Sequence, residues 1–504
     1  MSNSAYIYTT GRNGQLVPEK SAPVEDISTA IREGRDVVIH VHGGLVNEEG
    51  GTRNAIRLTD EYLDADVHPV FVVWRSGLLE ILRGNLDEIL GEDIFGRMLK
   101  WITQFTVAKL SQGPGERAVG GLTLPSDDEV NRELGRRDDK SDPREPFAAT
   151  RAPTDLAEVT AFEQEELALS ISTDAAVEAD LQAILEARHP TQVQGERGVP
   201  VRTVASGVSL MDPDALEPVD EEGQRGLLTT AGLALKCARV LKRVIERFRG
   251  KNDHGVYCTV VEELLREFYL ANAGRVIWSA MKKETQDTFD EGEDRFGRTL
   301  LGGLNQALED AHSAGKRPRI TLVGHSTGAV YINHLLGEIA RGRSKGYRTW
   351  PDEARFQVVF LAPACTYENF AAALETGKDL ISDLRMFTMD RETEEKDQLL
   401  GAFYPRSLLH LISGVLETGT SGASGWAPLV GMARYREAAY SDGNYRDVPG
   451  LSDGRLYLTD DRVVLSPSLE RAAPGRAAGA RSHTSFDEDR QVLESIATML
   501  RNDR

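Results

Sequence analysis

Cysteine is scarce, with three residues in a chain of 504. Cys237, Cys258 and Cys365 stand far apart, with neither the spacing of a metal site nor the density of a disulfide framework. They read as small buried apolar residues in a reducing compartment. Long hydrophobic runs are missing too. No segment approaches the ~20 apolar residues that cross a bilayer. Met1–Tyr6 does not combine a basic region with an apolar core, so no signal peptide is expected and the cytoplasm is the expected location. Positive charge is in deficit: Lys and Arg number 59 against 79 Asp and Glu, a net charge of -20. Binding a phosphate backbone needs a basic surface, so no nucleic-acid partner is expected.

What remains is an ordinary globular composition, 40% hydrophobic and 27% charged. The length suits one large domain carrying an insertion. Residues 5–9 read as an edge strand and Val24 to Glu33 as a short helix. Asp36 to His42 is a β-branched run of the buried-strand type, and it leads into Gly43-Gly44-Leu45. Arg53 to Leu63 is helical, and Pro69 to Trp74 is a second buried strand. From about Gly77 to Lys316 the pattern changes to amphipathic helices and polar linkers. Gln112 to Pro146, rich in charge, Gly and Pro, reads as a mobile loop. Leu227 to Arg249 reads as a basic amphipathic helix. Its charges suit either solvent around a packed face or an anionic membrane surface. Buried strands return at Arg319 to Val323, Phe356 to Ala362 and Leu384 to Met389. Arg455 to Ser466 reads as a hairpin or one last strand, and Phe486 to Arg501 as a closing helix. Strands alternating with helices predict an α/β fold with a mainly parallel central sheet flanked by helices.

One stretch organises the chain: Arg319-Ile-Thr-Leu-Val-Gly-His-Ser-Thr-Gly-Ala-Val330. A β-prone run ends in Gly-x-Ser-x-Gly, and an apolar helical pattern follows (Tyr331, Ile332, Leu335, Leu336). A strand, a sharp turn and a helix form the setting in which Ser326 is exposed as a nucleophile. Gly324 and Gly328 let the helix pass close to the strand. The glycines after the Asp36–His42 strand leave backbone N–H groups free to face a ligand.

With this elbow and His42-Gly43-Gly44 after an earlier strand, the chain resembles the α/β-hydrolase superfamily in its lipase and esterase branch. Leu45 stands where the HGGG-type motif has its last glycine. The resemblance covers residues 36–76 and 318–501. It implies a core of residues 1–76 and 317–504. Residues 77–316 are then a helical insertion, acting as a lid or cap over the site or as a subdomain with structural or assembly duties. It also implies a triad in the order serine, acid, histidine. His483, in a loop before the final helix, is the expected base. His334 and His410 are expected to pack. Asp390, directly after the Leu384–Met389 strand, is the expected acid, with Asp397 and Glu392 next. The oxyanion is expected to be held by the N–H of Thr327 and by that of Gly43 or Gly44. His42 is expected to shape that loop. The implied reaction is cleavage of carboxylic esters, with lipid-like acyl esters among the candidate small-molecule substrates, through an acyl-enzyme and with no metal and no organic cofactor. The same triad supports amide or thioester cleavage and acyl transfer. A non-enzymatic binding module on the same fold is the remaining alternative, and it would have no need of a serine, histidine and acid together.

Overall fold

The computed structural model describes residues 3–44, 46–74, 85–86, 88–112, 122–136, 145–186, 211, 230–269, 273–292, 294–345, 350–399, 401, 404–417, 426–441 and 445–502. Seven strands form one sheet: β1 (Ile7–Thr10), β2 (Val37–Val41), β3 (His68–Trp74), β4 (Ile320–His325), β5 (Phe356–Leu361), β6 (Ile381–Met389) and β7 (Val463–Ser466). Their order is β1-β3-β2-β4-β5-β6-β7, and every neighbouring pair is parallel. The predicted α/β class with a mainly parallel sheet is therefore the observed one. A parallel sheet must be covered on both faces, which is why its strands read as unbroken apolar runs.

Side-chain alternation splits the core in two. Val38, Phe71, Val73, Val323, Val359 and Phe387 face one layer, which is closed by Leu58, Tyr62, Val492 and Ile496. Val37, Ile39, Val41, Leu322, Val358 and Phe360 face the other layer, and there the apolar core continues into the middle of the chain.

The helices follow in chain order. α1 (Val24–Glu33) and α2 (Glu48–Asp64) alternate with the first strands. Residues 77–316 contribute α3 (Asp93–Leu110), α4 (Asp127–Gly135), α5 (Ala161–Ser172), α6 (Ala175–Glu186), α7 (Thr230–Arg249), α8 (Val256–Leu264), α9 (Ala273–Asp287) and α10 (Phe296–Ser313). The second half adds α11 (Gly328–Lys345), α12 (Tyr367–Gly377), α13 (Arg391–Lys396), α14 (Leu408–Leu411), α15 (Leu451–Tyr457) and α16 (Arg490–Asn502). Among the described residues, 77–316 hold no strand.

Three expectations change here. α10, counted with the insertion, packs against α1 beside the sheet, so it serves as a flanking helix of the core. The stretch read as a mobile loop contains α4. Its Ser126–Glu129 capping box satisfies two N-terminal groups, and Val130 is fully buried. Residues 113–121 and 137–144 of that stretch lie outside the described residues. In the basic helix α7, Arg243 and Arg247 turn inward, while Arg239, Lys242 and Arg249 stay exposed. Arg239 and Arg243 pair with Glu267, Arg243 with Glu263, and Arg247 with Glu262 and Glu263.

Candidate active site

Chain order reverses across β2 and β4: β3 and β1 lie on one side of β2, and the rest of the sheet on the other. In a parallel sheet, the crevice at the carboxyl ends of such a strand pair is where ligands bind. Here β2 delivers His42-Gly43-Gly44 to that crevice and β4 delivers His325-Ser326-Thr327.

Ser326 has φ +54, the left-handed conformation a sharp strand-to-helix turn demands. Close packing enforces the turn. A Cβ on Gly328 would stand 2.2 Å from the Val41 carbonyl oxygen, and one on Gly43 would stand 3.0 Å from Ser326 Cβ. The elbow and the glycine loop therefore touch backbone to backbone.

The described structure brings Ser326 and His483 together. His483 lies in a single 3-10 turn, His483–Ser485, ahead of α16. Its Nε2 is 2.9 Å from Ser326 Oγ. Both residues are 2% exposed. Burial, with His325 close by, pushes the His483 pKa well below the usual histidine range, while Asp487 pulls the other way. The ring is thus kept neutral, the form that can accept a proton.

The acid is placed differently from expectation. Asp390 spends its carboxylate as the N-cap of α13, where Oδ1 accepts from the Thr393 N–H at 2.7 Å. Capping residues are fixed by the first free N–H groups of their helix, and among the described residues Asp390 makes no bond to His483. Glu392 is exposed and paired with Lys396. Asp397, at the far end of α13, accepts the backbone N–H of His483 through Oδ2 at 2.8 Å. Burial raises its pKa to about 6, and that N–H bond opposes the shift. His483 Nδ1 is buried and has no hydrogen-bond partner among the described residues.

The other face of His483 is held by a histidine. His325 Nε2 is 2.9 Å from the His483 carbonyl oxygen, and its Nδ1 is 3.5 Å from Asp487 Oδ2. Asp487 also receives Asn54 Nδ2 at 2.6 Å, and its backbone carbonyl receives Arg57 Nη2 at 2.5 Å. Burial pushes the Asp487 carboxyl up, but His325 outweighs it and the pKa falls to about 2. Burial lowers His325 and Asp487 raises it, with a net upward shift. His483 is therefore gripped at its N–H by Asp397 and at its C=O by His325, whose ring faces Asp487. Sequence reasoning singled out neither His325 nor Asp487 as a support of His483. The signal available was the acidic run Asp487-Glu488-Asp489 beside His483.

The donors for an oxyanion separate as well. The Gly44 N–H is taken by Thr327 Oγ1 at 2.8 Å. The backbone N–H groups of Gly43 and Thr327 have no partner among the described residues. His42 braces the loop, with Nδ1 2.8 Å from the Gly43 carbonyl oxygen and Nε2 3.2 Å from the Trp74 N–H. One ring nitrogen donates and the other accepts, the pattern of a neutral imidazole, and burial lowers its pKa to about 4. His334 meets Thr285 Oγ1 and His410 meets Ser407 Oγ, and both rings are packed residues.

The insertion reaches this site. Met281 on α9 lies against Gly44, where a Cβ would come within 2.7 Å of its methyl group. α9 is pinned by Glu417, which accepts from Trp278 Nε1 at 2.8 Å and from Lys282 Nζ at 2.7 Å.

Among the described residues no group of His, Cys, Asp and Glu side chains is arranged to hold a metal ion. No protein-family model, no curated protein and no solved structure matches the chain.

Proposed function

We propose that the chain is a serine hydrolase that cleaves carboxylic esters through an acyl-enzyme, in keeping with its sequence resemblance to the α/β-hydrolases. The observation that carries this reading is the 2.9 Å approach of His483 Nε2 to Ser326 Oγ at a left-handed elbow. His483 takes the hydroxyl proton as Oγ attacks the acyl carbon. The carbonyl electron pair moves onto oxygen, where the Gly43 and Thr327 N–H groups stabilise it. Collapse breaks the ester C–O bond, and the leaving alkoxide takes the proton from Nε2. Water, deprotonated by the same nitrogen, then releases the acid and restores Ser326.

Asp397 is the carboxylate that serves His483. It already holds that residue's N–H, and on substrate binding its carboxylate would move to the empty Nδ1. Catalytic hydrogen bonds are commonly loose before substrate binds. With Ser326 only 2% exposed, a substrate enters by displacing α9, so that helix acts as the lid. Met281 on α9, which lies against Gly44, would give the acyl side an apolar contact that favours medium-chain over acetyl esters, at about 25 cal/mol per Å² buried.

A fluorophosphonate probe should label Ser326 alone, with the label lost in Ser326→Ala, and p-nitrophenyl esters should be cleaved with kcat/KM rising with acyl length. Absence of labelling on folded protein would overturn the hydrolase reading. A flat chain-length series would leave a small-ester, amide or thioester hydrolase.

A further inference from the structure

Between β6 and β7 the chain folds into turns around α15, and α15 packs on α12. A cavity of about 700 Å³ opens there, within the size range of small-molecule pockets. Ser326 and His483 do not line it. Arg436, Arg446 and Arg455 do, and the only carboxylate among its described lining residues is Asp460. In a chain of net charge -20, a concavity with three arginines and one carboxylate runs against the global balance. The one acid is fully solvent-exposed and engages Arg436 at 2.8 Å.

Two polar atoms in this wall are left without partners. Arg455 Nη1 and the Tyr445 hydroxyl are buried and make no hydrogen bond among the described residues, and Tyr445 is only 4% exposed. Burying a guanidinium N–H and a phenol without partners is unfavourable, more so for the charged group. Such cost is tolerated where a ligand supplies the missing acceptor. The other wall is apolar. Leu451, Leu456 and Leu458 line it, and Leu456 is 75% exposed.

We propose that this cavity binds a small organic anion. Its carboxylate or phosphate oxygens would meet Arg455 and the Tyr445 hydroxyl, and its apolar body would lie on the leucine wall. Arginine suits either oxyanion, because its fork of donors matches two oxygens at once. This site is independent of the hydrolase reading, since neither its residues nor its test involves Ser326.

The test is calorimetric titration of the full chain with phenyl phosphate, benzoate, inorganic phosphate and benzyl alcohol. The proposal expects saturable binding of at least one aromatic anion, weaker binding of inorganic phosphate and none of benzyl alcohol. The first two arms tell a phosphate site from a carboxylate site. Arg455→Gln should weaken the bound anion about tenfold or more. Tyr445→Phe, which keeps the ring packed, should weaken it less but measurably. A circular-dichroism melt equal to wild type keeps the comparison valid. If Arg455→Gln melts early, Tyr445→Phe and Arg446→Gln decide alone. The proposal is overturned if neither aromatic anion saturates below about 10 mM, if benzyl alcohol binds equally well, or if folded variants bind as the wild type does.

Discussion

At the scale of residues, the two aspartates that bracket α13 divide the labour. Asp397 sits where an acid can stabilise the imidazolium, whereas Asp390 caps a helix. Asp397→Asn should cut kcat by roughly 10³–10⁴-fold, and Asp390→Ala should cost only a helix cap, about 1 kcal/mol of stability. The reverse ranking in ester kinetics would return the acid to Asp390. pH gives a second readout. His483 is held well below the usual histidine range, so it stays the neutral base at mildly acidic pH. Asp397 ionises at about 6, so the acid limb of kcat/KM should lie near pH 6 and vanish in Asp397→Asn. Asp487 acts on stability instead. Its folded pKa of about 2 lies below the free value of about 3.9. Its contribution is therefore complete above pH 4 and fades as pH falls towards 2. Asp487→Asn strands a buried His325, a loss of about 3–5 kcal/mol at pH 7. Urea denaturation should show that gap narrowing between pH 4 and pH 2. A constant gap would mean that Asp487 acts through packing.

At the scale of elements, the strand-turn-helix unit at Ser326 was readable because three local demands coincide: a β-branched run, small residues at the turn and an apolar helical period. Val24–Glu33 matched for the same reason, its start set by Pro23 and its end by the left-handed Gly34. The acid was not readable. Asp390 and Asp397 bracket the same charged hexapeptide, and only the cap geometry, a matter of atoms rather than composition, assigns one of them to the helix. Helix α4 was missed because it is short and stabilised by its capping box and by burial of Val130 on neighbouring helices, a tertiary effect with no periodic signature. Deleting residues 122–136 should accordingly destabilise the protein as well as alter access. The lid assignment is tested at α9. Glu417→Ala removes the acceptor of Trp278 and Lys282 and should speed fluorophosphonate labelling of Ser326 several-fold while kcat for a soluble ester falls little. A lower melting temperature with an unchanged labelling rate would make α9 a structural brace.

At the scale of the whole molecule, the helical middle and the sheet share one apolar core. Ile39, Leu322 and Phe360 from the strands belong to the same buried cluster as Phe95 and Leu99 of α3, Leu241 and Val244 of α7, Val260 of α8 and Trp278 of α9. Polar contacts cross the same boundary. Glu262 of α8 bonds the Tyr404 hydroxyl, and Arg406 pairs with Glu145 at 3.2 Å. Separate domains meet through modest, more polar interfaces and can melt one after the other. A shared core with buried ion pairs cannot lose one part without exposing apolar surface and unpaired charge on the other. Calorimetry should therefore record a single transition whose van't Hoff and calorimetric enthalpies agree, provided unfolding is reversible. Arg247→Met tests the coupling. It leaves Glu262 and Glu263 of α8 without their shared cation, and it should lower that one transition rather than split off an early one. A second, earlier peak in the variant, with the Ser326 site still labelled by the probe between the two peaks, would show that the insertion folds as a unit of its own.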